Sequence, residues 1–297
     1  MQINLGYDDI GQYDNDTIIL IGGLGTQRTV WPNNFCQELV QNNYRVIRFD
    51  NRDIGESTFF NNQSSIELSS EVEKALEGGN FSSPYTLLDM AQDTIKLIDN
   101  LNLNNFHVIG MSMGARIGQI IASLHPANIK SLTSIMSTSG ASYLPKSSKE
   151  ASEILAKKPR DNSNIDELIE LAIMQQRIIG SPNYPMPDEY IRQIVKLNFI
   201  RGNNPDGVIR QWLASYNEGD QTNLLSKIEV PVLVIHGNDD PLIPIDAGRD
   251  LAKKIKNSKF VAIEGMGHNI PPSLSKFLSE KIISFLDKLD LTKKTSS

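Results

Sequence analysis

The sequence predicts an α/β fold: a doubly wound, mostly parallel sheet with helices on both faces and a helical segment inserted late in the chain. Three observations carry that expectation. Short apolar runs recur along the chain, the segments between them have helical periodicity, and the alternation breaks once, between about Ala141 and Thr222. The runs are near-continuous rather than alternating, as in strands covered on both faces, which is the condition of a parallel sheet.

The elements follow in order. Ile18 to Ile21 reads as a strand and leads into Gly22-Gly23-Leu24-Gly25. Arg45 to Phe49 is a second run, ending at Asp50. Leu87, Leu88, Ala91, Ile95, Ile98 and Leu101 share one helical face. Phe106 to Ile109 is a strand that stops at Gly110, and Ile117, Ile120, Ile121 and Leu124 mark the helix after it. Leu132 to Met136 ends in serine, threonine and glycine. Helical patterns then occupy Ile165 to Ile179, Glu189 to Phe199 and Val208 to Tyr216, separated by the proline-bearing turns at 181–187 and 202–205. No strand-like run interrupts them. Val232 to Ile235 and Phe260 to Ile263 resume the strands, and Phe277, Ile282, Phe285 and Leu289 recur on a last helix. The expected division is therefore a core of residues 1–140 and 223–297, with residues 141–222 as a helical cap over the carboxyl ends of the strands, where such folds carry their sites. Lys293 to Ser297 reads as a frayed tail.

Composition narrows the function classes. The 297 residues can bury a large core without metal or disulfide staples. Lys and Arg number 29 against 35 Asp and Glu, a net charge of −6, and the basic clusters are short, so a nucleic-acid partner is not expected. Cys36 is the one cysteine, which excludes an intrachain disulfide and suits a reducing, cytoplasmic compartment. Met1 to Asp9 has neither a basic nor an apolar signal region, and the longest apolar runs are far shorter than a membrane helix.

The chemistry-bearing motif is Gly110-Met-Ser-Met-Gly114, a G-x-S-x-G pattern between a strand and a helix. A serine on that sharp turn projects its hydroxyl from the sheet edge, and glycines two positions either side let strand and helix pass closely. Ser112 needs a base to become a nucleophile. His107 lies inside a strand, His125 at a helix end, and His236 at a strand end where it would brace the next turn. His268, in Glu264-Gly-Met-Gly-His-Asn269, sits in a loop just beyond the last strand and is the expected base. The carboxylate that would orient it is Asp240 in His236-Gly-Asn-Asp-Asp-Pro241, preferred over Asp239. An oxyanion needs two donors. One is the N–H of Met113, directly after the nucleophile; the other is expected from Leu24, alternatively Gly23. Cys36 reads as core filler, and Asp50, Arg52 and Asp53 as a salt-bridged turn.

Gly22-Gly23-Leu24-Gly25 with Trp31-Pro32, Arg45 to Thr58, Pro84 to Met90, Gly110 to Gly114, His236 to Pro244 and Gly265 to His268 carry a resemblance that spans nearly the whole chain. The sequence resembles the α/β-hydrolase superfamily and, within it, the bacterial esterases similar to aclacinomycin methylesterase. The resemblance implies an eight-stranded, mostly parallel sheet with a helical cap, and Ser112, Asp240 and His268 as a triad in the chain order nucleophile, acid, base. The commoner oxyanion loop of the family begins His-Gly where this chain has Gly22-Gly23, which leaves the register of the second donor open by one residue. Serine at 112 sets the chain apart from members with a nucleophilic aspartate.

The expected function is thus a serine hydrolase that cleaves a small, partly apolar carboxylic ester through an acyl-enzyme, with no metal or organic cofactor. The same triad could act on a thioester, lactone, amide or C–C bond, and a low-turnover ligand sensor is the reading from another class. Met174, Tyr184, Met186, Leu197 and Trp212 are the candidate apolar groups of the cap.

Overall fold

The computed structural model describes residues 3–60 and 63–294. Its strands are β1 (Tyr7–Ile10), β2 (Asp16–Ile21), β3 (Tyr44–Phe49), β4 (Phe106–Met111), β5 (Ile129–Ile135), β6 (Val232–Gly237) and β7 (Ser258–Ile263). They form one sheet in the order β1-β3-β2-β4-β5-β6-β7. β1 runs antiparallel to β3, and every other pairing is parallel.

The apolar runs are explained by what covers them. Successive residues of a strand face opposite sides. In β2, Ile19 and Ile21 join one core, which includes Leu87, Ile98, Ile117, Ile121 and Leu251. Ile18 and Leu20 join the other, with Phe35, Leu39, Leu274, Leu278 and Ile282. Helices α3 (Leu87–Asn100), α4 (Met113–Leu124) and α10 (Ile245–Lys254) therefore cover one face, and α1 (Asn33–Gln41) and α11 (Pro272–Lys294) the other. Both sides of each central strand are buried, so most positions are apolar, and polar ones such as His107 and Ser131 pair with each other inside the sheet.

Seven strands are present among the described residues, one fewer than the resemblance implies. Residues 3–6, ahead of β1, are not a further edge strand. They hydrogen-bond instead to the segment after β3: Gly6 O accepts from Asp50 N–H at 2.8 Å and Asn4 O from Thr58 N–H at 3.0 Å. The expected tail is still helical at Lys293 and Lys294, and Thr295–Ser297 lie outside the described residues.

Helix α2 (Ser65–Leu76) falls where no element is expected from apolar periodicity. Its signal is at its start. Ser64 and Glu67 form a capping box, each side chain bonding the other's backbone N–H, as Thr86 and Asp89 do for α3.

Between β5 and β6 the chain forms α5 (Lys149–Ala156), α6 (Ile165–Ile179), α7 (Asp188–Arg201), α8 (Pro205–Glu218) and the single turn α9 (Thr222–Leu225). The middle three match the periodic stretches of the sequence. Two of them, α7 and α8, are tied to the segment after β3 by buried ion pairs. Arg201 of α7 reaches Asp50 at 2.7 Å. Arg210 of α8 donates to both carboxylate oxygens of Asp53, each at 2.9 Å. Asp53 is fully buried in the left-handed region (φ 70°) and also accepts from the Tyr85 hydroxyl at 2.8 Å and Phe60 N–H at 2.7 Å. Burial, with Asp53 beside it, pushes the Tyr85 phenol well above its ordinary value, so it remains a donor. Arg210→Leu should accordingly leave Asp53 as a buried charge without its cation and cost about 3–5 kcal/mol in urea unfolding, with Asp53→Asn in the same chain restoring part of the loss. A cost below about 1 kcal/mol would show that the pair does not anchor α8.

Candidate active site

Ser112, Asp240 and His268 come from the carboxyl ends of β4, β6 and β7. The strand order puts β4 and β6 on either side of β5, with β7 next to β6. Ser112 caps the start of α4 with φ 52° and ψ −121°, a conformation that non-glycine residues hold only under constraint. The constraint is visible. Its N–H donates to Ile135 O at 2.9 Å, and its carbonyl accepts from Ser137 Oγ at 2.8 Å. A β-carbon at Gly110 would sit 2.5 Å from Ala115 Cα, and one at Gly114 would sit 2.2 Å from Ile21 O. Both motif glycines are thus set by contact distance, as their spacing about the serine predicts.

The three side chains are brought together. His268 Nε2 is 3.1 Å from Ser112 Oγ, and His268 Nδ1 is 2.7 Å from Asp240 Oδ2. His268 and Asp240 are buried. Asp240 Oδ1 also accepts N–H bonds from Leu242 and Ile243, both at 2.9 Å. Burial pushes the Asp240 carboxyl up. The facing His268, His236 at 3.6 Å and the Ile243 N–H outweigh it, so the carboxyl titrates well below its ordinary value. A depressed carboxylate contributes stability that is present above its unfolded pKa and lost as pH falls through its folded one, so Asp240 is ionised at neutral pH.

The neighbouring candidates take the structural roles expected of them. Asp239 is exposed and holds the His268 loop by accepting Gly265 N–H at 2.8 Å. The His236 imidazole braces the turn it opens, 2.8 Å from Ile243 O, and His107 pairs with Ser131 at 2.7 Å. Cys36 is buried, which pushes its thiol up to about 11, far from a reactive thiolate.

The predicted oxyanion donors also lie here. Met113 is the first residue of α4, where a helical N–H has no partner within the helix. Gly23 packs against the serine, so that a β-carbon on it would lie 3.4 Å from Ser112 Cβ. Leu24 is partly buried against the core.

Several residues that hold the site carry no local signal in the sequence. His268 N–H donates to Ile179 O, the last residue of α6, at 2.6 Å. Ser181, just after it, donates its hydroxyl to Asn269 Oδ1 at 2.6 Å and accepts from Gly267 N–H at 3.0 Å. The inserted helices therefore hold the base's loop. A cavity of about 310 Å³ lies beside Gly25 and the inserted helices, lined among others by Leu168, Leu171, Ala172, Val195, Phe199 and Val208. None of the five apolar candidates read from the sequence lines it. Met174 and Leu197 are exposed, Trp212 stacks on Tyr216 at 5.0 Å, Tyr184 joins the core under α11, and Met186 borders a second cavity near Asp239. Among the described residues no group of three His, Cys, Asp or Glu is arranged to hold a metal ion, and no helix is long and apolar enough to cross a membrane.

A parallel sheet wrapped on both faces, with a strained serine at a strand-to-helix turn facing a histidine–aspartate pair, defines the class as that of the α/β hydrolases. The chain belongs to the alpha/beta hydrolase fold family, whose sequence profile matches residues 16–272. It is similar to the rhodomycin D methylesterase DnrP of Streptomyces peucetius, with 25% identity over 95% of this chain and 94% of that one. A thermophilic esterase from Thermogutta terrifontis superposes with a TM-score of 0.68 at 23% identity, over 97% of this chain and 94% of that one. A meta-cleavage product hydrolase from Pseudomonas fluorescens does so with 0.73 at 15% identity, over 96% and 95%.

Proposed function

We propose that the protein is a serine esterase in which Ser112, His268 and Asp240 form the catalytic triad. The single observation that carries this reading is the continuous hydrogen-bond chain from Asp240 to His268 to Ser112, at 2.7 and 3.1 Å, ending on a serine held at positive φ. Ser112 Oγ attacks the ester carbonyl while His268 Nε2 takes its proton. Ionised Asp240 keeps the other proton on Nδ1 and stabilises the imidazolium. The tetrahedral oxyanion is held by the N–H of Met113 and by that of Leu24, alternatively Gly23. Collapse expels the alcohol, protonated by His268, and leaves an acyl-enzyme. Water, deprotonated by the same histidine, then releases the acid.

Residues 141–222 act as the cap of a core made from residues 1–140 and 223–297. The substrate is a small, partly apolar ester; the 310 Å³ cavity touches the oxyanion loop at Gly25 but is lined by none of the triad, so it is not assigned as the ester's pocket. The likeness to a methylesterase makes methyl esters the first alcohol portion to try.

The test is labelling with a fluorophosphonate alongside a panel of esters, thioesters and lactones. One equivalent of label on Ser112 together with turnover of an ester is the expected result. Turnover confined to thioesters or lactones would move the bond, and labelling without turnover of any member would leave a binding protein on a hydrolase fold.

A further inference from the structure

We propose that Gln211, on the inserted helix α8, is a positioning residue that aims the oxyanion loop at Ser112; the proposal rests on the esterase reading above. Gln211 is fully buried, and both ends of its amide are used. Its Oε1 accepts the N–H of Gly25 at 2.8 Å, across 186 residues of sequence, and its Nε2 donates to Arg52 O at 2.8 Å. These partners determine the orientation of the amide, since a backbone N–H requires the oxygen and a carbonyl requires the nitrogen.

What the first bond holds is the far side of Leu24. Gly23 O accepts from both Thr26 N–H, at 3.3 Å, and Thr26 Oγ1, at 2.9 Å. The peptide joining Gly23 to Leu24 is planar and trans, so its N–H points opposite to that tethered carbonyl. The next peptide, joining Leu24 to Gly25, is tethered through its N–H to Gln211. Both planes flanking Leu24 are thereby set, one from within the loop and one from α8. Gly23 in turn packs on Ser112.

Gln211 is itself held. The adjacent Arg210 is locked on Asp53, and Arg52, whose carbonyl Gln211 binds, is paired through its guanidinium with Asp93. The seating of the inserted helix and the direction of the second oxyanion donor are in this way one arrangement. An oxyanion donor acts on the transition state rather than on the bound ester, and sub-ångström errors in its aim are costly. Loss of the Gln211 tether should therefore appear in kcat and leave KM nearly unchanged.

The experiment uses Gln211→Leu and, as a second variant of similar volume with a flexible stem, Gln211→Met. Sites are counted by fluorophosphonate titration of a separate portion of each preparation, so that rates refer to the folded protein able to take the label. The expected result is a fall of about 10–100-fold in kcat per site, with KM within about twofold of the parent. Inhibition by a trifluoromethyl ketone, which forms an anionic tetrahedral adduct on the serine, should weaken by the same factor. A merely structural role would lower the number of titratable sites and leave kcat per site and ketone affinity alone; that result overturns the proposal. So does failure of both variants to fold, which would make Gln211 a folding determinant. Absence of any ester turnover by the parent protein is a separate outcome and refutes the esterase reading instead.

Discussion

Ser112→Ala should reduce ester turnover by about a million-fold, to the residual rate that binding and oxyanion stabilisation alone provide. Removing one oxygen atom eliminates the acyl-enzyme route, because among the described residues Ser112 is the one nucleophile hydrogen-bonded to His268 Nε2, at 3.1 Å. The fold should survive. The backbone bonds that hold position 112, to Ile135 O and from Ser137 Oγ, do not involve its hydroxyl. Alanine should even bind substrate with unchanged affinity. The check is kcat/KM on the best ester of the panel, with thermal unfolding measured on the same preparation. Retention of more than about a thousandth of the activity would remove Ser112 from the nucleophile role.

Asp240→Asn should lower kcat at neutral pH by about 10³–10⁴-fold while changing stability much less. Asparagine can keep the carboxylate's role in its turn, because its single oxygen can accept from the Leu242 and Ile243 N–H groups now bonded to Oδ1. Its NH₂ would then face His268 Nδ1, 2.7 Å from the present Oδ2. A donor there favours the tautomer that carries its proton on Nε2, which cannot accept the proton of Ser112. The imidazolium formed during attack also loses its counter-charge. The measurement is a kcat/KM profile across pH for parent and variant, with fluorophosphonate labelling rates as a second reading of serine reactivity. Equal labelling rates would show that Asp240 does not support the nucleophile.

The parts of the site legible in the sequence are those whose geometry is local. Gly110-Met-Ser-Met-Gly114 encodes a turn in which strand and helix nearly touch, so the need for glycine is written within five residues. His236 to Pro241 and Gly265 to His268 are likewise short turns at strand ends. Their shared location follows from the parallel direction of β4, β6 and β7, which brings their carboxyl ends to one edge. Helix α2 was missed, because it buries only Leu68 and Ala75 completely and so lacks a strong apolar period; the Ser64–Glu67 capping box is the signal that could have found it.

Other features depend on contacts between distant segments. Arg210 and Asp53 are 157 residues apart; Asp53 reads as part of a salt-bridged turn, but nothing near it in sequence identifies Arg210 as its partner. Gln211, whose amide binds Gly25 N–H, and Ser181 and Asn269 are equally silent as isolated polar residues. The apolar residues of the insertion were the least informative of all. A methionine or leucine on an amphipathic helix faces a neighbouring helix, a cavity or solvent according to how that helix is rotated, which is decided by packing.

The single broken alternation, at residues 141–222, shows the division most clearly. The sequence by itself determined that helices replace strands there and that Ser112, Asp240 and His268 share one sheet edge, because hydrophobic period and turn chemistry act over a few residues. Only the tertiary structure decided that α6 and α8 reach back to the loops of His268 and Gly25. Buried charges and amides must find partners once water is excluded, and which partners are within 3 Å is a property of the assembled chain.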